Sequence, residues 1–344
     1  MSANTTESTQ DAHEVDPSAP LLQVEDLYVE FRTRDGVAKV LNGVSYHVEA
    51  GETLAVLGES GSGKSVTAQT IMGILDMPPG FITGGSVKFH GEELLTATPK
   101  RRREVRASGI AMIFQDALSA LNPVFTVGFQ IEEQLRLRRG MSKKDARKRA
   151  IELLDQVKIP NAKGRVRQYP HEFSGGMRQR AMIAMSLALD PEMLIADEPT
   201  TALDVTVQAQ IMDLLKEIQV ERNMGLILIT HDLGVVAEVA DRIAVMYAGR
   251  IVEQSDAPAL YRRPGHPYTK GLLESLPRLD QRGQELATIK GLPPSLLRIP
   301  SGCPFHPRCP MVQDVCKTDV PEQHRLVPGR MSACHFAEEL IAGD

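Results

Sequence analysis

The sequence predicts an α/β protein with a parallel sheet at its centre, and three observations carry that expectation. Short, continuously apolar runs at residues 54–57, 110–114, 193–196 and 226–230 have the length and hydrophobicity of strands buried on both faces. Segments with apolar residues three and four apart separate them, as helices crossing between parallel strands would. A glycine-rich loop, Gly58-Glu59-Ser60-Gly61-Ser62-Gly63-Lys64-Ser65, joins the first run to a helix start.

Taken in order, residues 1–20 are polar and mildly acidic, with no basic-then-apolar leader pattern, and read as a disordered tail. Residues 21–48 alternate as strands around the turn Arg34-Asp35-Gly36. Phe31, just before that turn, can stack on a base or, like Tyr28, fill the sheet face. After the glycine-rich loop, Pro78-Pro79-Gly80 breaks the chain, and residues 84–91 read as a strand. The basic run 100–106 suits a solvated helix face. The strand at 110–114 ends at Gln115, which can reach a magnesium shell or lie on the surface. From 127 to 190 the pattern is helical, an inserted subdomain set at about 116–190. Within it Ser174-Gly175-Gly176 opens a long apolar helix: Ser174 is a good N-cap, and the glycines leave backbone N–H groups free for an anion. The strand at 193–196 ends in Asp197-Glu198, and Ala202-Leu203-Asp204 leads into a helix. The strand at 226–230 delivers His231, and two further strands, at 243–247 and 250–252, close the unit.

Strand, glycine-rich loop and helix start are the context that a phosphate-binding loop requires. Its N–H groups curl around phosphate oxygens at the positive end of a helix dipole. Lys64 would reach the β- and γ-phosphates, and Ser65 would hold Mg2+. Of the two carboxylates, Asp197 suits the shell of that ion and Glu198 a general base for water. The chain is therefore expected to bind a nucleoside triphosphate.

Composition narrows the class. At 344 residues and 37.8 kDa, the chain has room for two domains. A net charge of −5 and a pI near 6.0 give no overall pull toward nucleic acid. No stretch approaches the run of about eighteen apolar residues that a membrane span needs, so a soluble, cytoplasmic protein is expected, with any membrane part supplied by other chains.

In this order the phosphate loop, Gln115, Ser174-Gly175-Gly176, Asp197-Glu198, Ala202-Leu203-Asp204 and His231 resemble the ATPase subunit of an ATP-binding-cassette transporter over about residues 21–261. The resemblance implies an antiparallel β subdomain beside the core, and a paired engine with each ATP held between two subunits. Gly58, Ser60, Gly61, Ser62, Gly63, Lys64, Ser65 and Val66 would cradle the phosphates of one nucleotide. Ser65 and Gln115 would hold Mg2+ with support from Asp197. Glu198 would be the catalytic base, and Gln115 and His231 would sense the γ-phosphate. Ser174, Gly175, Gly176 and Asp204 would act on the opposite subunit's nucleotide, while Phe31 would stack on adenine. Met177 stands where the family usually has glutamine.

A finer resemblance is to the peptide- and nickel-importer branch. It rests on residues 115–123 (with Ala117 where proline is usual), on Gly265-His266-Pro267-Tyr268-Thr269 and on Gly302-Cys303-Pro304-Phe305-His306-Pro307-Arg308-Cys309. It implies a peripheral subunit at the cytoplasmic face of the inner membrane. The implied partners are a second, different ATPase, two membrane permeases and an extracytoplasmic peptide-binding protein, with no nucleic acid. A nickel or metal-chelate cargo remains open, as does a soluble cassette ATPase uncoupled from transport. The interval from Lys64 to Ser174 lacks the sustained heptads of the soluble repair class.

Residues 262–344 form a small proline-rich extension. All four cysteines fall in the last 42 residues, an arrangement that chance gives about two times in ten thousand, so they read as one site. Reducing conditions favour a metal over disulfides. Cys303, Cys309, Cys316 and Cys334 contain no pair two to four residues apart, which leaves zinc as the runner-up. The importer resemblance implies a 4Fe–4S cluster; His306 and His335 are possible substitute ligands.

Overall fold

The computed structural model describes residues 19–201, 203–275 and 288–342. The tail expected at 1–20 lies almost wholly outside them, as does Ala202. Strands run in chain order as β1 (Leu22–Thr33), β2 (Gly36–Val48), β3 (Thr53–Leu57), β4 (Gly80–Phe89), β5 (Glu92–Glu93), β6 (Ile110–Ile113) and β7 (Met193–Asp197). They continue as β8 (Gly225–Thr230), β9 (Arg242–Tyr247), β10 (Arg250–Asp256), β11 (His324–Val327) and β12 (Arg330–Ser332).

One sheet has the order β11-β12-β10-β9-β3-β8-β7-β6, with β9, β3, β8, β7 and β6 mutually parallel. Alternation along its central strands explains their continuous apolarity. Ala55 and Leu57 of β3 join the core on one face, Leu54 and Val56 the core on the other. In β8, Leu226 and Leu228 divide from Ile227 and Ile229 in the same way. A strand covered on both faces can present no polar side. The second sheet, β2-β1-β4-β5, is antiparallel and lies against the second of these cores through Leu22, Val24, Leu41 and Val87.

Helices Val127–Arg139, Lys143–Gln156 and Gly175–Ser186 pack through Ile131, Leu135, Ala146, Leu153 and Ile183. Each is opened by a hydroxyl, from Thr126, Ser142 and Ser174 respectively, that accepts a first-turn N–H. Among the described residues no helix is long and apolar enough to cross a membrane.

β1 runs unbroken from Leu22 to Thr33, because irregular pairing near Asp26, whose φ is 43°, absorbs a break in its alternation. Two details depart from the sequence reading. β4 starts directly at Gly80 and so is longer than the stretch 84–91. The extension does not stand apart: β12 pairs with β10, so β11 and β12 lengthen the main sheet. Its Phe305 is buried against Tyr247 and Tyr268.

Candidate active site at the carboxyl edge of the sheet

Every strand of the parallel core ends at the same edge, and β3 sits there between β8 and β9, where connections leave in opposite directions. Ligands of open α/β sheets bind at such a point. The loop after β3 turns through Gly58, where a Cβ would lie 2.2 Å from the Met246 carbonyl, and through Gly63, at φ 109° and crowded by Leu41 and Met246. Only glycine fits either position. Helix Lys64–Met72 therefore opens without a side-chain cap, leaving its first N–H groups for a ligand.

Lys64 folds back over this loop and donates to the Gly58 and Glu59 carbonyls at 2.7 and 3.0 Å. Burial lowers its pKa, against the pull of Glu198, Asp197 and Glu59. Ser65 Oγ donates to Asp197 Oδ1 at 3.1 Å. Burial raises the Asp197 pKa; the Ser65 hydrogen bond opposes that rise, and neighbouring Glu198 adds to it. Two carboxylates and a hydroxyl crowded beside one ammonium suit a hard, oxygen-seeking cation such as Mg2+. Ser62 Oγ is buried in the loop with no hydrogen-bond partner, which is the condition expected of a group whose partner is a bound phosphate.

Glu198, at φ 47°, is aimed by three neighbours. Gln115 Nε2 donates to it at 2.9 Å and Thr201 Oγ1 at 2.8 Å, while His231 Nδ1 lies 3.6 Å from its other oxygen. The structure thus brings Gln115, Glu198 and His231 together, and Ser65 with Asp197. Thr201 is a member that sequence reasoning missed; nothing in the motif distinguishes it from Thr200.

Other sequence-selected residues lie apart. Ser174 and Gly175 are exposed, and Ser174 Oγ accepts from Met177 N at 3.4 Å. Gly176 packs so closely on Val207 that a Cβ would sit 2.7 Å from its methyl, which explains the second glycine. Asp204 is exposed and caps helix Val205–Arg222 through Val207 N. Among the described residues no hydrogen bond joins these groups to Lys64 or Glu198. Phe31 is half-buried in β1, opposite Ala38 and Gly80, with its ring against the second core.

In the extension, Cys303, Cys309, Cys316 and Cys334 line one small cavity with His306 and His335. Burial raises the pKa of Cys303 and Cys309 and, with the other three sulfurs adding to it, pushes Cys334 up to about 12. Among the described residues no group of three or more His, Cys, Asp or Glu could hold a single metal ion. The extension also reaches the phosphate loop: Arg308 pairs with the Glu59 carboxylate at 2.7 and 2.9 Å, and Tyr268 Oη accepts from Glu59 N at 2.9 Å.

Comparison with known proteins agrees with this geometry. Residues 41–201 match the ABC transporter family, and residues 252–316 match the C-terminal region of oligopeptide/dipeptide transporters. The chain is 52% identical to an oligopeptide transport ATP-binding protein of Salmonella typhimurium, covering 94% of this chain and 96% of the relative. It is 52% identical to a dipeptide transport ATP-binding protein of Bacillus subtilis, over 88% and 90% of the two chains. Among solved structures, a dimeric ATP-binding cassette bound to ADP and Pi in a post-hydrolysis state matches with a TM-score of 0.62 and 28% identity, covering 69% of this chain and 98% of that one.

Proposed function

The chain belongs to the ABC transporter ATPases that energise oligopeptide and dipeptide import by hydrolysing ATP, and we propose that its residues divide that work as follows. The single observation that supports this best is the Glu198 carboxylate, aimed by Gln115 and Thr201 next to the Lys64 and Ser65–Asp197 groups. Gly58, Ser60, Gly61, Ser62, Gly63 and Val66 line the phosphate cradle, and Lys64 turns from its two carbonyls to the β- and γ-phosphates. Ser65 and Gln115 would hold Mg2+, with Asp197 behind the hydroxyl, and the bound ion would supply charge neutralisation on the phosphates. Glu198 accepts the proton of the attacking water, and His231 and Gln115 report the γ-phosphate.

Ser174, Gly175 and Asp204 are exposed, with Gly176 half-buried beside them, because their nucleotide belongs to a second ATPase subunit. Phe31 stacks on adenine. Two permeases and an extracytoplasmic binding protein complete the importer at the cytoplasmic face of the inner membrane.

The four cysteines hold a 4Fe–4S cluster that staples the extension. They share one small cavity, although among the described residues no group of three or more His, Cys, Asp or Glu could hold a single ion. A zinc site with metal–sulfur bonds of about 2.3 Å would draw the sulfurs closer than a multi-iron core requires. The cluster contributes structure and takes no part in hydrolysis.

Titration of the full chain with Mg2+ and a non-hydrolysable ATP analogue tests the nucleotide reading. Lys64→Ala should weaken binding about tenfold or more, since a charge-assisted contact is lost; equal binding would remove Lys64 from the site. Protein purified without oxygen should be brown, with iron and sulfide in about equal amounts. Colourless protein with one zinc per chain would replace the cluster by a zinc site.

A further inference from the structure

Glu59, inside the phosphate loop, is held at three points. Its carbonyl accepts from Lys64, its N–H donates to Tyr268 Oη, and its carboxylate takes a two-pronged pair from Arg308. Two of these three holds come from the extension rather than from the sheet that carries the loop. Arg308 is nearly enclosed, with a side chain 5% exposed. Its other donors reach Tyr247 Oη at 3.3 Å and the Lys290 carbonyl at 3.2 Å, so all three nitrogens are engaged.

An acid opposes the task of a loop that must receive a polyphosphate. An unpaired carboxylate there would repel the incoming charge and compete for Lys64, on which Glu59 already acts. Arg308 cancels that charge, and a guanidinium does so in a fixed orientation where an ammonium would not. Arg308 itself closes the short turn His306–Arg308, which is fastened by His306 N to the Cys303 carbonyl at 3.0 Å and by Cys309 N to the His306 carbonyl at 3.3 Å. The turn that spaces two of the cysteines therefore also sets the guanidinium.

We propose that Arg308 is a positioning residue for ATP binding: by neutralising Glu59 it makes the docked extension a condition for full affinity of the phosphate loop. This rests on the nucleotide reading above and adds to it a control point outside the ATPase core.

The test compares wild type, Arg308→Ala, Arg308→Lys, Glu59→Gln and the double variant Glu59→Gln/Arg308→Ala. Each is the full chain, titrated with Mg2+ and a non-hydrolysable ATP analogue. Arg308→Ala should weaken binding about tenfold, because it strands a carboxylate beside the phosphates. Arg308→Lys should fall between. Removing the stranded charge should rescue: the double variant should return to within about threefold of wild type. In the assembled transporter, Arg308→Ala should raise KM for ATP and leave kcat within about twofold. A double variant as weak as Arg308→Ala would overturn the proposal and leave Arg308 a mere packing residue. So would unaltered binding by Arg308→Ala. Should Arg308→Ala fail to fold, Glu59→Gln decides: it should bind at least as tightly as wild type, and weaker binding overturns the proposal. If wild type itself does not bind the analogue, the nucleotide reading falls and takes this inference with it.

Discussion

The helix beginning at Lys64 follows a glycine-rich loop and the helix beginning at Gly175 opens on two glycines of its own, but their first turns are finished differently. The Lys64 helix has no side-chain cap, starts from a buried Gly63, and lies under a lysine folded back on the loop. The Gly175 helix is capped by its own Ser174, and Ser174 and Gly175 at its start are exposed. An enclosed and uncapped start is one whose missing acceptor is a ligand held within the same chain. A capped start on an open surface is stable alone and gains a ligand only when another surface covers it. On the proposed function, one chain would carry two unlike halves of two sites, each completed by a second subunit.

The largest expected effect falls on the chemistry of the enclosed half. Glu198→Gln keeps the Gln115 and Thr201 contacts within reach but removes the base, so ATP should still bind while hydrolysis in the assembled transporter falls about a hundredfold or more. Near-normal turnover would remove Glu198 from that role.

A smaller effect is expected at Ser62. Its Oγ has no partner in the free chain, so Ser62→Ala should leave thermal stability without nucleotide unchanged. With nucleotide, affinity should drop about fivefold, the worth of about one hydrogen bond. A loss of stability without nucleotide would show that the hydroxyl serves the loop itself rather than the ligand.

How much of this could be read from the sequence depended on distance along the chain. The phosphate loop lies within eight consecutive residues, and Gln115, Asp197, Glu198 and His231 each end or directly follow an apolar run, where a parallel sheet gathers its carboxyl ends. Local patterns therefore pointed to them. Glu59 and Arg308 are 249 positions apart, and an ion pair at that separation leaves no periodicity. The addition of β11 and β12 to the main sheet was hidden for the same reason: an edge strand of three or four residues looks like loop. The extension's docking was hidden in the same way, because its Phe305 is buried against Tyr247 of the sheet and Tyr268.

The smallest effect on nucleotide should come from the proposed cysteine site of the extension. Cys316→Ser should lower iron content and make proteases cut the extension first while the sheet stays folded. ATP affinity should fall only about two- to threefold, because Arg308 keeps its contacts to Glu59 and Tyr247 of the core. A collapse of the whole chain would mean that the extension is part of the core's folding unit.

The contrast between the two helix starts is tested most directly by Gly175→Asp. A carboxylate at an exposed helix N-terminus has room, since the added Cβ would lie 3.5 Å from Leu203, and it suits the dipole of the free chain. It would repel a phosphate brought there by a partner. The isolated chain should therefore bind the Mg2+-loaded ATP analogue within about twofold of wild type, while ATP turnover of the assembled transporter is lost. Loss of binding by the isolated, folded variant would contradict the account, because it would place Gly175 on the chain's own nucleotide.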